Sequence, residues 1–318
     1  MPKVLVADKL SNEAVAIFQK NGIETVVKTG MTTDEFVKEI ADVDGLVVRS
    51  AAKPNAEIIK AGKNLKVIGR AGIGVDNIDI AAASAQKVIV MNTPFGNTIT
   101  TAEHAVAMMM SLARNIPQAN AEMTDGAWPK AKYQGVELCG KTLGVVGCGN
   151  IGSIVADRGL GLKMKVIAFD PFLTEEKATT WGITKVELDE LLKSADFITL
   201  HTPSTPETKG MINKDSIAKM KKGVYIINCA RGNLVVAEDL VAAIDNGQVS
   251  GAAIDVFDGE PPAEDHVFRK HPKVICTPHL GASTKEAEEK VSLQVAEQIS
   301  EYLLTGKAVN VINKDVLK

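Results

Sequence analysis

An α/β fold with two doubly wound parallel sheets is the class this sequence predicts, on three observations. Short apolar runs alternate with amphipathic helical patterns along the whole chain, the order that builds parallel sheets. The runs form two series of similar topology, joined near residue 97. Unusual polar residues gather at the ends of the runs, where an open parallel sheet presents ligands to its carboxyl edge.

The first series reads KVLVAD (3–8), ETVVK (24–28), GLVVRS (45–50), LKVIGRAG (65–72) and VIVMNTP (88–94). Between the first two lies SNEAVAIFQKNG, a helix that Ser11 can cap and Gly22 can stop. The segment TITTAEHAVAMMMSLARNIP predicts a longer helix. Thr100 is its expected N-cap, Glu103 closes a capping box, and Pro117 lies beyond its end. Met108, Met109 and Met110 read as packing residues. After a less regular stretch from Gly126 to Gly140 the second series begins: KTLGVVG (141–147), KVIAFD (165–170), DFITLHTP (196–203), VYIINCARG (224–232), GAAIDVF (251–257) and KVICTPHLG (273–281). The last helix, STKEAEEKVSLQVAEQISEYLLTG, carries its acids early and ends near Gly306.

With 318 residues the chain has room for two domains, and 45% hydrophobic against 24% charged residues is a globular balance. A net charge of −3 leaves no global basic field, so nucleic acid and anionic membrane are not expected partners. No apolar run approaches the roughly 18 residues of a membrane span, and the N-terminus lacks a signal-peptide core. Cys139, Cys148, Cys229 and Cys276 show no CxxC spacing. They read as reduced thiols of a cytoplasmic protein, and no metal set is expected.

The first chemical motif is Gly147-Cys148-Gly149-Asn150-Ile151-Gly152, a GxGxxG placed after a strand and opening a helix. Gly147 permits the tight turn, Gly149 lets a pyrophosphate approach the backbone, and Gly152 allows the helix to pack on the strand. The helix N-terminus offers free N–H groups to the phosphates. Asp170 follows 18 residues after Gly152, the spacing of a carboxylate that holds the adenosine ribose hydroxyls. That carboxylate repels a 2′-phosphate, and Pro171 and Phe172 bring no arginine to receive one. NAD is therefore expected over NADP.

In the second series the run ends present Asp170, His201-Thr202-Pro203, Cys229-Ala230-Arg231, Asp255 and His279. In the first they present Arg49-Ser50, Arg70-Ala71-Gly72 and Asn92-Thr93. Hydride transfer at a hydroxyl carbon needs an anion clamp, a proton acceptor and a group that orients the acceptor. An arginine fork suits a substrate carboxylate. A histidine titrates near working pH, and a neighbouring carboxylate orients its ring and raises its pKa. Arg231, His279 and Glu260 are the candidates for those three tasks.

Six segments carry a family resemblance: VRSAAK (48–53), GRAGIGVDNID (69–79), NTPFGNTITTAEH (92–104), NCARGNLV (228–235), AAIDVFDGEPP (252–262) and TPHLGASTKEA (277–287). Together they resemble the D-2-hydroxyacid dehydrogenases over nearly the whole chain, most of all the members that oxidise 3-phospho-D-glycerate at the start of serine biosynthesis. The resemblance implies a catalytic triad of Arg231, Glu260 and His279. It implies cofactor contacts from Asn150, Ile151, Asp170, His201, Thr202, Pro203, Thr208, Cys229, Ala230, Arg231, Asp255, His279, Gly281 and Ala282, with Asp255 meeting the nicotinamide carboxamide. Arg49, Ser50, Arg70 and Gly72 would meet the small anionic substrate, and Lys130 would reach the site of a neighbouring subunit. A homodimer or tetramer, joined through residues 98–140, is implied as well. The expected architecture is a Rossmann NAD-binding domain over 98–284 and a discontinuous, flavodoxin-like substrate domain from 1–97 and 285–318.

Three positions depart from the family pattern. GNLVVAEDL stands where relatives show GGxVDExAL, a change expected to disturb loop packing more than chemistry. Ala52 replaces a threonine, and Ile73 replaces a hydroxyl residue of some relatives. Longer members carry a C-terminal ACT domain; this sequence ends at Lys318, before it. Two alternatives stay open: a sister enzyme acting on glyoxylate or hydroxypyruvate, D-lactate or sulfolactate, and an NAD-sensing corepressor built on the same fold.

Overall fold

The structure, a computed structural model, describes residues 1–317. The chain divides into two compact units, Met1–Asn97 with Ala282–Lys318, and Thr98–Gly281. The second boundary falls slightly before the expected residue 284. Leu280 and Gly281 donate their N–H groups to Asp255, which binds this stretch to the second unit.

Among the described residues the first unit holds a five-stranded sheet of β1 (Lys3–Val6), β2 (Glu24–Val27), β3 (Gly45–Val48), β4 (Val67–Arg70) and β5 (Ile89–Asn92). The order is β2-β1-β3-β4-β5 and every pairing is parallel, the flavodoxin-like winding. Inner strands are covered on both faces, which is why GLVV at β3 is apolar throughout. The helix Lys285–Thr305, capped by Thr284 and closed by Gly306 at φ +77°, buries Val291, Val295 and Ile299. It lies so close to β4 that a Cβ on Gly69 would stand 2.5 Å from Ile299 and 2.7 Å from Val295. Asn313 covers the outer edge of β5 by bonding the main chain at Val88 and Val90.

The second unit holds a seven-stranded parallel sheet of β6 (Thr142–Val146), β7 (Lys165–Phe169), β8 (Thr184–Lys185), β9 (Phe197–Leu200), β10 (Val224–Asn228), β11 (Val249–Ile254) and β12 (Val274–Cys276). Its order is β12-β11-β10-β9-β6-β7-β8. The winding grows from β6 through β7 to β8 on one side, then restarts with β9 on the other. The carboxyl ends of β6 and β9 thus flank a topological switch point, where doubly wound sheets bind ligands. At two residues, edge strand β8 is too short to leave a pattern in the sequence.

Two helix expectations are corrected. The long helix runs from Thr98 to Arg114, so Thr100 sits inside its first turn and is not the N-cap of a capping box with Glu103. Thr98, Thr101, Ala102, Ala105, Met108, Met109 and Leu112 form one buried stripe, and burying Thr98 extends the helix backward past the local capping signal. Pro117 does not follow the end of this helix; it lies in the first turn of a separate helix, Ile116–Thr124, after Asn115 breaks the chain direction at φ +55°. Its fixed φ suits a first turn as well as a stop.

The departure GNLVVAEDL has a local consequence. Val236 occupies the N-cap of the helix Ala237–Asp245 and makes no side-chain cap among the described residues. The family's acid at this position would accept a first-turn N–H. Val236→Asp should therefore stabilise the protein by about 1 kcal/mol, read as a higher urea midpoint at unchanged m-value. An unchanged midpoint would show that Glu238 and Asp239 already satisfy this helix end.

Candidate active site

The glycine turn joins β6 to the helix Gly152–Gly161. Gly147 takes φ +85°, and a Cβ there would stand 2.8 Å from the His201 carbonyl. At Gly152 a Cβ would fall 2.0 Å from the Gly147 carbonyl oxygen. Nothing lies within 4 Å of where a Gly149 Cβ would sit. Two glycines are thus demanded by the protein's own packing, while the third leaves open space above a helix N-terminus. Asp170, just beyond β7, accepts the Cys148 N–H at 2.8 Å and the Phe172 N–H at 2.7 Å. Each carboxylate oxygen keeps a lone-pair direction for a ribose hydroxyl. Open space at Gly149, N–H donors and a fixed carboxylate fit an adenine dinucleotide.

The next strand ends continue along the same edge. His201 follows β9, with Nε2 at 2.8 Å from Thr199 Oγ1; burial drives its pKa down to about 4, so the ring is neutral. Thr208 closes the following loop by donating to the Pro203 carbonyl and accepting the Thr205 N–H. Buried Asn228, the last residue of β10, accepts the Ala230 N–H and donates to the Arg231 carbonyl, which sets the turn carrying Arg231. Arg231 bonds the Ala230 carbonyl at 2.7 Å through one guanidinium nitrogen.

Gly232 joins this turn to the one after β11. A Cβ there would lie 1.9 Å from the Phe257 carbonyl carbon, a contact that only glycine avoids. The Phe257 N–H in turn donates to Glu260 Oε1 at 3.1 Å, and Glu260 Oε2 stands 2.6 Å from His279 Nδ1. An ionised carboxylate only accepts, so Nδ1 carries the proton and Nε2 is the free base of the neutral ring. The hydrogen bond to Glu260 raises the His279 pKa above the ordinary histidine value, against burial and the Arg231 charge, which lower it. Burial pushes the Glu260 carboxyl up, but its bonds to His279 and the Phe257 N–H prevail and hold it below the usual range. His279 side-chain exposure is 48% and that of Glu260 is 35%, so the pair is reachable from solvent.

His279 adopts φ +54°, a left-handed conformation that costs a side-chain-bearing residue about 1 kcal/mol or more. Its N–H is held by the Asp255 carbonyl at 2.9 Å. The Asp255 carboxylate is 0% exposed and faces inward, accepting from Thr277, Leu280, Gly281 and His104. Within the protein it serves the 277–281 loop. Cys229 is buried between these turns, and burial beside Asp255 pushes its thiol well up; Cys148 is raised to about 11, again by burial. Both are unreactive space-filling thiols.

In the first unit, Arg49 follows β3 with its N–H on Asp8 at 2.6 Å and its guanidinium on Glu288 at 2.9 Å. Asp8 also receives the Ala52 N–H, and Asn77 bonds the Arg49 and Ala52 carbonyls. Position 52 thus acts through its main chain. Ser50 is exposed beside Arg49. Gly72, at φ +148°, leaves room for the Arg70 guanidinium, which a Cβ would meet at 2.1 Å, and its N–H bonds Thr93 at 2.7 Å. Lys130 is exposed on an arm of the second unit, where Lys132 and Tyr133 both bond Glu122. Within that unit it is not gathered with the triad. Sequence reasoning passed over Asn228, Gly232, His104 and Thr277, although all four lie within segments that carry the resemblance. A polar residue ending a buried strand, as Asn228 does, is the signal that could have found the first.

Residues 106–281 match the family model described as D-isomer specific 2-hydroxyacid dehydrogenase, NAD binding domain. The chain belongs to this family. Among curated members it is 49% identical over 297 residues to a D-3-phosphoglycerate dehydrogenase of Archaeoglobus fulgidus, covering 93% of this chain and 56% of the relative. It is 48% identical over 314 residues to a D-3-phosphoglycerate dehydrogenase of Bacillus subtilis, covering 98% of this chain and 59% of the relative. The chain therefore spans somewhat over half the length of these dehydrogenases. The solved NAD+-bound 3-phosphoglycerate dehydrogenase of Entamoeba histolytica superposes with a TM-score of 0.83 at 32% identity, covering 98% of this chain and 99% of that one.

The turns carrying Arg231 and Glu260 are held together by a glycine contact as much as by hydrogen bonds. Gly232→Ala should lower kcat/KM about a hundredfold or more by separating the Arg231 and Glu260 turns, with the far-ultraviolet circular dichroism preserved. Wild-type kcat/KM in that variant would refute the link between the two turns.

Proposed function

We propose that the chain is an NAD-dependent dehydrogenase oxidising 3-phospho-D-glycerate to 3-phosphohydroxypyruvate, the entry to serine biosynthesis. The observation that carries the reading is the His279–Glu260 pair beside Arg231, on the same sheet edge as an open glycine turn. Gly147 to Gly152 and Asp170 would hold the NAD, which supplies the hydride acceptor when bound. Arg231 pairs with the substrate carboxylate. His279 Nε2 takes the hydroxyl proton, and Glu260 stabilises the imidazolium by accepting from Nδ1. In the reverse direction the same nitrogen returns the proton to the keto oxygen.

The substrate class rests on the relatives' names and on cations. A phosphorylated hydroxy acid carries about three negative charges where lactate carries one. Arg49, Arg70 and Lys130 are the groups proposed to answer the extra charge. A cytoplasmic homodimer fits the apolar surface of Ile116, Met123 and Trp128, all exposed within 98–140. No helix among the described residues is long and apolar enough to cross a membrane.

A panel of 2-hydroxy acids assayed with NAD tests the reading. The kcat/KM for 3-phosphoglycerate should exceed those for glycerate, D-lactate and sulfolactate at least tenfold, and Arg49→Ala should reduce only the phosphorylated substrate's value. Preference for glyoxylate or hydroxypyruvate in the reverse reaction would move the chain to a sister activity. Absence of turnover on every acid would favour a corepressor.

The pH dependence has a fixed sign. Oxidation needs neutral His279, so kcat/KM should rise as pH passes upward through its raised pKa, above about 6.5, and reduction should fall over the same range. In Glu260→Gln the supporting charge is gone, so the limb should move to lower pH while the plateau drops. Identical midpoints in the two proteins would remove Glu260 from the pair.

A further inference from the structure

We propose that His104, outside the triad, is a positioning residue that fixes His279 through the buried carboxylate of Asp255. The inference rests on the reading of His279 as the proton-transferring group. His104 projects from the helix Thr98–Arg114 with its side chain 19% exposed, and its Nε2 lies 3.2 Å from Asp255 Oδ1 and 3.3 Å from Thr277 Oγ1. Thr277 commits its one hydroxyl proton to Asp255 Oδ1 at 2.5 Å. It therefore has no proton left for His104, and an ionised Asp255 can only accept. Nε2–H of His104 is thus the donor, aimed at the carboxylate.

Asp255 is the hub of the loop that carries His279. Its carbonyl takes the His279 N–H, Oδ1 takes the Leu280 N–H at 2.7 Å, and Oδ2 takes the Gly281 N–H at 2.8 Å. Three consecutive amides are therefore anchored on one residue, across the left-handed turn that aims the imidazole at Glu260. A carboxylate without solvent exposure keeps its charge only while its donors remain in place. His104 is the one donor among them that comes from another layer of the unit, and it ties the helix to the loop.

The charged and titratable groups around the pair are few. His104 faces Asp255 and the thiol of Cys229, whose ligand atoms all lie within 4.8 Å of one another. His279 faces Glu260, Asp255 and Arg231. Removing the His104 donor should loosen the 277–281 loop and lengthen the contact between His279 and Glu260. His104 itself touches no reacting atom in this scheme.

The test compares His104→Leu with His104→Gln, whose amide N–H reaches the place of Nε2. The His279 imidazole is titrated by NMR in each, a readout that needs no substrate and so stands apart from which acid is turned over. In His104→Leu the His279 midpoint should fall toward the ordinary value by about half a unit or more. Its kcat should drop about tenfold or more while KM for NAD stays within about twofold. His104→Gln should restore both. Should the leucine variant not fold, His104→Asn, whose amide stops short of Asp255, takes its place with the same expectations. A wild-type titration and kcat in the leucine or asparagine variant would overturn the proposal, as would a glutamine variant as impaired as either.

Discussion

The parallel register of β10, β11 and β12 is the constraint on which the chemistry depends. Asn228 pairs with Ile254, and Ile254 with Cys276, so three strands end level with one another. Adjacent strands lie about 4.8 Å apart, which leaves their outgoing turns within side-chain reach. Arg231, Glu260 and His279 leave from those three turns. A slip of one residue in any of the strands would turn its following side chain to the opposite face.

On that level edge, short-range contacts finish the arrangement. Asn228 shapes the first turn, Gly232 packs the first turn against the second, and Asp255 gathers the third. The same device appears in the first unit, where Asp8 after β1 collects the amides of Arg49 and Ala52. In both sheets a buried acid at the end of one strand organises the turn after its neighbour, and the cationic or basic side chain rides on that turn. In each case the acid is a scaffold for the residue that the turn carries.

Much of this was legible in the sequence, for identifiable reasons. The strands stood out because a sheet buried on both faces leaves unbroken apolar runs, and the carboxyl-edge rule then pointed to Arg231 and His279. The glycine turn was legible because each glycine answers a separate steric demand. The start of the helix at Thr98 was not, since its burial is decided by tertiary contacts while Thr100 offers a stronger local cap signal. Asp255 was recognised as a site residue, but its inward contacts to Thr277, Leu280, Gly281 and His104 were not, because sequence does not say which way a carboxylate at a strand end faces. His104 lies in a segment that carries the resemblance, yet on a helix between the buried Ala102 and Ala105 it reads as any half-buried polar residue.

Asp170, the residue proposed to hold the ribose, is also a structural one. Its carboxylate receives the Cys148 N–H from inside the glycine turn and the Phe172 N–H from its own loop. Exchanging it for a neutral or basic residue to admit a 2′-phosphate would also release the glycine turn proposed to hold the pyrophosphate. A lineage changing its cofactor at this position would therefore first pass through a poorer binder of either nucleotide, unless another residue had already taken over the two amides. The route to a new cofactor here runs through the loop, and the order in which substitutions accumulate decides whether it is open.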